Sequence, residues 1–292
     1  MNRSLKINKF KLPLILFQII LIVYINVSAK GKETKTKGKT AVPIVKETAA
    51  KSKDADFGNS KAAELVKSLD ERQRNSGDYK ATAFMKEIEK NKEPKLIQST
   101  IYRRDGLDKF MMIFNKPKED SGKAYLKIDK NLWNFEPGTG KWERRTEREK
   151  IGGTNSRRND FDESRMAEEY IATADSMDKL GKFNTYVVKL TVKEGIDVSY
   201  PVLKLWIDKS DGNLLKREEY ALSGKLMRST FYPKWKKIFS ESKKSEVYVP
   251  EEIRVFDELE KGNSTIIAFK DVELQKLDEN IFTKAWIESK SH

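Results

Sequence analysis

The side chains able to do chemistry in this chain are nearly all carboxylates. Its 292 residues include 45 Asp and Glu, one histidine and no cysteine. Without cysteine there is no thiol nucleophile, no disulfide, and no thiolate metal or iron–sulfur site. The histidine is His292, the last residue, so Ser-His-Asp and Cys-His catalysis and His-rich metal sites also fall away. What survives is acid–base work by a pair of carboxylates, of the kind that cleaves glycans. No Asp–Glu pair stands out by its setting. The sequence is therefore read as a non-enzyme, with no catalytic residue, metal or cofactor assigned.

The other chemistry on offer is apolar. The stretch KIDKNLWNFEPGTGKWERR (127–145) sets Trp133 and Phe135 beside a Pro-Gly turn, in a chain that is 35% charged. Two apart on a strand, they share a face, and that face serves either a core or a binding surface. FMMIF (110–114) supplies Phe110, Met112 and Phe114, either as a buried strand or as part of an adaptable pocket, since methionine tolerates variable shapes. FYPKWKKIF (231–239) interleaves Tyr232 and Trp235 with Lys234, Lys236 and Lys237. That pattern is either a strand end with snorkelling lysines or a docking patch for an anionic membrane surface or a partner protein.

The formal charge of +13 invites a nucleic-acid reading, but its distribution opposes one. Residues 1–57 hold 12 Lys and Arg against 4 Asp and Glu, a net of +8, which leaves only +5 for the other 235 residues. Residues 1–29 read as a secretory signal. Arg3, Lys6, Lys9 and Lys11 precede the apolar run LPLILFQIILIVYI, and small residues end at Ala29. The run is short for a membrane span. Cleavage after about Ala29 would place the product in a periplasm. Residues 30–57, rich in Lys, Thr, Gly and Ala, read as a disordered basic linker.

These residues must be positioned by the remaining chain. NSKAAELVKSLDERQRNSGD predicts a helix capped at Asn59 or Ser60, with Ala62, Leu65, Val66 and Leu69 on one face and Gly77 as its stop. The period then drops to two, with Tyr79, Ala81, Ala83 and Met85 alternating with polar residues. Short-spaced turn signals separate roughly ten to twelve strands. Among them, Leu203, Leu205 and Ile207 alternate with Lys204 and Asp208. DFDESRMAEEYIATADS departs from this pattern, with Phe161, Met166, Tyr170 and Ile171 nearer helical spacing, and predicts a movable helix after IGGTNSRRN. The fold class is mainly β (α+β): a large, curved antiparallel sheet with one or two covering helices. Periodicity alone leaves open whether it encloses a packed core or an apolar hollow.

Three stretches in this order, AAELVKSLDERQRNSGDYKATAFMKEIE, IYRRDGLDKFMMIF and DKNLWNFEPGTGKW, resemble the LolA-like family of periplasmic lipoprotein carriers and outer-membrane lipoprotein-sorting proteins. The hairpin carries the likeness through Leu132, Trp133, Phe135 and Pro137, and LDENIFTKAWIESK extends it to the C-terminus. The resemblance implies one domain over 58–292, a half-open barrel whose lid helices close an apolar cavity. It implies a lining of Phe110, Met112, Phe114, Trp133, Phe135, Leu205 and Ile207, and a lid helix in DFDESRMAEEYIATADS. It also implies a latch at Arg104, although Asp105-Gly106 follows where the family has Pro. The function so implied is carriage of lipid or lipoprotein acyl chains toward the outer membrane. Its partners would be an acylated lipoprotein or lipid, an inner-membrane transporter and an outer-membrane acceptor, with no nucleic acid. An accessory lipid-binding module of an inner-membrane exporter and a structural envelope β-sandwich without ligand are the alternatives.

Overall fold

The computed structural model describes residues 57–128, 131–146 and 149–290. The signal segment and all of the linker except Phe57 lie outside them. Helix α1 (Asn59–Gln73) buries Ala62, Val66 and Leu69, three or four residues apart. Burying each of the larger two contributes about 1.5–3 kcal/mol. The expected cap differs: Gly58 precedes the helix, and the Asn59 side chain instead accepts a 2.9 Å bond from the Ala174 amide.

Among the described residues, thirteen antiparallel strands follow in one sheet. The first meander comprises β1 (Asp78–Ile88), β2 (Lys95–Arg104), β3 (Lys109–Lys116), β4 (Ala124–Ile128), β5 (Asn131–Glu136) and β6 (Lys141–Arg145). The second comprises β7 (Tyr170–Leu180), β8 (Phe183–Val192), β9 (Val202–Asp208), β10 (Leu214–Tyr220), β11 (Leu226–Ser240), β12 (Ser245–Asp257) and β13 (Ser264–Glu273). Pairing of β1 with β13 joins the two into the order β6-β5-β4-β3-β2-β1-β13-β12-β11-β10-β9-β8-β7. The sheet is open, with β6 and β7 as its edges.

This topology has a consequence for residues 149–169. They connect the strand at one edge to the strand at the other, so they must travel across a face of the sheet. The crossing segment does so without long regular structure. It contains two single 3₁₀ turns, Ile151–Gly153 and Arg158–Asp160, and the four-residue helix α2 (Met166–Glu169). The expected lid helix is therefore corrected. From Tyr170 onward the chain is β7, where Tyr170 points inward and Ile171 is exposed. Alternation of Tyr170, Ala172 and Ala174 with Ile171 and Thr173 outweighs the near-helical spacing farther upstream.

Two apolar clusters occupy the two faces. The larger takes α1, the crossing segment and inward residues of strands from both meanders. The smaller holds Met111, Leu126 and Phe135 beneath the C-terminal Ile281, Phe282 and Ile287, the last on helix α3 (Lys284–Lys290). FMMIF has no clear alternation because β3 is covered on both faces: Phe110, Met112 and Phe114 enter the larger cluster and Met111 the smaller.

Candidate functional site

The site lies where the crossing segment meets the sheet. Its start is seated on β3 and β4. Ile151 is buried, and the Gly152 amide donates to the Tyr125 hydroxyl at 3.3 Å. Gly152 has φ +58°, and a Cβ there would stand 2.7 Å from the Phe114 ring, so both conformation and space call for glycine. Next, Asn155 reaches the centre of the sheet. Its amide donates to Thr265 Oγ1 at 2.9 Å and its Nδ2 to Glu87 Oε1 at 2.8 Å. Burial pushes the Glu87 carboxyl above its ordinary range.

Asp160 is the centre of the arrangement. Its carboxylate accepts from Arg228 Nη1 at 2.7 Å, Arg228 Nη2 at 3.0 Å, Arg217 Nη2 at 2.8 Å and the Arg157 amide at 2.9 Å. Arg217 and Arg228 project from neighbouring β10 and β11, and both are buried. Glu219, fully buried, lies between them: Arg228 Nη2 donates to its Oε1 at 2.7 Å, and Arg217 Nε stands 3.0 Å from the same oxygen. Burial alone would raise the Asp160 pKa, but the Arg228 and Arg217 charges outweigh it and hold the carboxyl below its usual range. Asp160 therefore has no proton to give. It works as an anion in a clamp.

Beyond Asp160, Phe161 packs edge-on against Phe269, centroids 6.2 Å apart, and its carbonyl accepts from Arg103 Nη1 at 3.4 Å. Arg103 is itself held by Asp105 through bonds of 2.9 and 2.8 Å. The segment's end is tied to α1: Ser164 Oγ and the Ala167 amide donate to Asp70 at 2.5 and 2.7 Å, and Arg74 Nε pairs with Glu163 at 3.0 Å. Burial raises the carboxyl pKa of both Asp70 and Glu163. With the segment in place, the adjoining free space is a cavity of about 50 Å³, bordered by Met166, Leu214, Tyr232, Ile253 and Phe269.

Of the seven residues expected to line a cavity, Phe110, Met112, Phe114, Leu205 and Ile207 come together in the larger cluster. Trp133 and Phe135 do not. Phe135 belongs to the opposite face, and Trp133 lies beneath Lys284 of α3, whose Nζ is 3.7 Å from the ring centroid. Leu132 is the residue of that hairpin that turns inward to the larger cluster. Arg104, the residue expected as the latch, lies on β2 beside Arg103. Arg103 and Arg104 are adjacent on β2 and so face opposite ways. Arg104 binds Asp78 at 2.6 and 2.9 Å and the Leu277 carbonyl at 3.2 Å, tying down the C-terminal segment, while Arg103 touches the crossing segment.

The docking patch divides in the same manner. Tyr232 is buried and stacks on Trp235 with centroids 5.7 Å apart, and Trp235 donates to the Leu214 carbonyl at 2.8 Å. Lys234, Lys236 and Lys237 remain exposed. Register irregularities between Phe231 and Trp235 re-aim the strand, which lets two aromatics three apart share a side.

A protein-family model described as "Uncharacterized protein" matches residues 106–289, more than half of the chain. The chain belongs to that family. Comparison with curated proteins finds no match. Among solved structures, it is similar to a LolA superfamily protein from Nitrosomonas europaea, with 20% identity, a TM-score of 0.66, and coverage of 77% of this chain and 98% of that one. A domain from Vibrio parahaemolyticus described as outer-membrane lipoprotein-sorting matches with 19% identity and a TM-score of 0.68, covering 79% and 99%. A DUF1329 family protein from Desulfovibrio piger matches with 17% identity and a TM-score of 0.68, covering 78% and 98%. At these identities the likeness establishes a LolA-like fold. Among the described residues of this family member, no helix is long and apolar enough to cross a membrane, and no three or more His, Cys, Asp or Glu are grouped to hold a metal ion.

Sequence reading missed the clamp. Arg217 and Glu219 are two apart in a strand, so their shared face was legible, but nothing in LKREEY says that this face turns inward.

Proposed function

We propose that this chain is a periplasmic carrier of lipid or lipoprotein acyl chains, exported by residues 1–29 and moving its cargo toward the outer membrane. The LolA-like fold supports this reading, and the crossing segment is the observation that carries it. A short irregular stretch tied by ion pairs lies over the apolar face on which a carrier would seat an acyl chain. The remaining 50 Å³ is space for a few waters only. Cargo therefore enters when the segment withdraws, exposing a lining that includes Phe110, Met112, Phe114, Leu205 and Ile207.

The magnitudes favour a reversible exchange. An acyl chain of about sixteen carbons gains on the order of 12 kcal/mol gross at about 0.8 kcal/mol per CH₂. Withdrawing Ile151, Phe161 and Met166 forfeits roughly 5–9 kcal/mol of apolar burial, and parting the Asp160 clamp costs more. Such near-balance suits a carrier, which has to release what it takes up. Arg103 serves as a closing contact, and the exposed Lys234, Lys236 and Lys237 offer a face to an anionic membrane surface or a partner.

The filled interior favours one rival, a structural envelope protein with no ligand. Native mass spectrometry of the protein purified without detergent from a bacterial periplasm separates the two. A carrier shows a solvent-extractable acyl species, or takes up added oleate or acylated peptide. Failure of both leaves the structural reading.

A further inference from the structure

The middle of the crossing segment is held through the Asp160 carboxylate, and the arginines that hold it there belong to the sheet. Glu219 holds both guanidinium groups, Arg228 by a hydrogen bond from Nη2 at 2.7 Å and Arg217 by charge alone, its Nε standing 3.0 Å away without a hydrogen bond, while Arg228 Nη1 also donates to the Asn155 carbonyl at 3.2 Å. Three N–H donors of these two arginines converge on the two oxygens of Asp160, at 2.7, 2.8 and 3.0 Å. Convergent, charge-assisted donors of this kind form an anion site prepared before its ligand arrives. Without Asp160, two buried arginines and one glutamate remain, a net charge of +1.

A second observation lies on the same strands. Thr230 is directly opposite Arg217 in the ladder and two residues from Arg228, which puts all three on one face. It is fully buried, and its hydroxyl has no hydrogen-bond partner. An unsatisfied buried hydroxyl is unfavourable, and a ligand oxygen at this point would satisfy it. The space next to the clamp has Leu214, Ile253 and Phe269 on one part of its wall and Arg103, Asp162 and Ser164 on another, so apolar surface and polar groups both adjoin the clamp.

We propose that Arg217 and Arg228, with Thr230, form a binding site for the singly charged head of an anionic amphiphile, a carboxylate being the best fit, and that Asp160 occupies this site in the closed chain. The proposal rests on the carrier reading and adds head-group selectivity to it. The ligand's head replaces the Asp160 carboxylate on the same arginines, and its tail takes the apolar face that the crossing segment vacates. Loading and opening are then one exchange.

Oleate and oleyl alcohol test this, since they share a tail and differ in the head. The full chain would be titrated with each by native mass spectrometry, as wild type, as Asp160→Asn and as Phe161→Ala, which frees the segment without touching a charge. Both variants should bind oleate about tenfold or more tightly than wild type and prefer it to oleyl alcohol by a similar factor, as expected for hydrogen bonds to a charged group. Adding Arg228→Gln to Phe161→Ala should abolish the preference. Equal gains for both ligands would overturn the anion site and leave the carrier reading standing. No binding of either ligand by any folded form would overturn both. Should the variants fail to fold, hydrogen exchange on the wild type decides: oleate, and not oleyl alcohol, must accelerate exchange over 155–166, and equal or absent acceleration sinks the site.

Discussion

Arg228 grips Asp160 with both Nη atoms, at 2.7 and 3.0 Å, although 68 residues separate them in sequence. The contact joins the middle of the crossing segment to β11. An ion pair this deep is a weak source of net stability, because desolvation cancels much of its attraction. An apolar side chain at 160 would hold the segment at least as firmly. A charge instead makes the contact exchangeable for another anion.

Asp160→Asn keeps the shape and removes the charge. Breaking a buried pair from one side costs about 3–5 kcal/mol. The loss should be local, with protease cutting and hydrogen exchange rising over 151–166 before the strands respond. A lowered urea midpoint with unchanged protection of that segment would show that Asp160 does not act as its fastener.

The two arginines of β2 should separate in effect. Arg103→Ala is expected to speed exchange near Phe161, and Arg104→Ala near Leu277 and Asp278, since those are the carbonyls each one holds. Amide-resolved hydrogen exchange reads both. Loosening of the crossing segment by Arg104→Ala would mark Arg104 as its latch.

Dependence on pH follows from opposite shifts. The Asp160 pKa is depressed, so its contribution is present above the ordinary carboxylate value and is lost only as pH falls through the lower folded value. Asp70 and Glu163 are raised, so theirs is fully present below the unfolded value and fades as pH rises through the folded one. The α1 end of the segment should therefore weaken as pH rises above the ordinary carboxylate range while the Asp160 clamp persists. Urea midpoints across that range should fall less steeply for Glu163→Gln than for wild type. Parallel slopes would contradict this.

Gly152→Ala places a methyl group against the Phe114 ring at a backbone angle that disfavours alanine. A cost of about 1–3 kcal/mol is expected from the strain, with increased binding of an apolar dye as the start of the segment lifts. Unchanged dye binding and thermal midpoint would mean that the ring simply yields.

Large-to-small changes should rank the seven apolar candidates. Phe110→Ala is expected to cost about 3–5 kcal/mol and Leu205→Ala about 2–5. Trp133→Ala, at a partly exposed site beneath Lys284, should cost less and leave oleate uptake unchanged. Loss of uptake in Trp133→Ala would return that residue to the binding face.

The sequence by itself determined the class of fold. Alternation along β1 and β9 and the turn signals between strands are local properties of the chain, and they fix an antiparallel meander behind one helix wherever that sheet is placed. The absence of cysteine and of any histidine but the last likewise limits the chemistry before folding. Partnership across long separations was decided only by tertiary structure. Local pattern cannot say that β1 pairs β13, yet that pairing puts β6 and β7 at opposite edges and sends residues 149–169 across the face. Period two puts Arg217 with Glu219 and separates Arg103 from Arg104, but which face turns inward depends on what covers it. Trp133 and Phe135 show the same limit. Their shared face was legible, and the C-terminal segment, more than 140 residues away, decided which side of the sheet it would be.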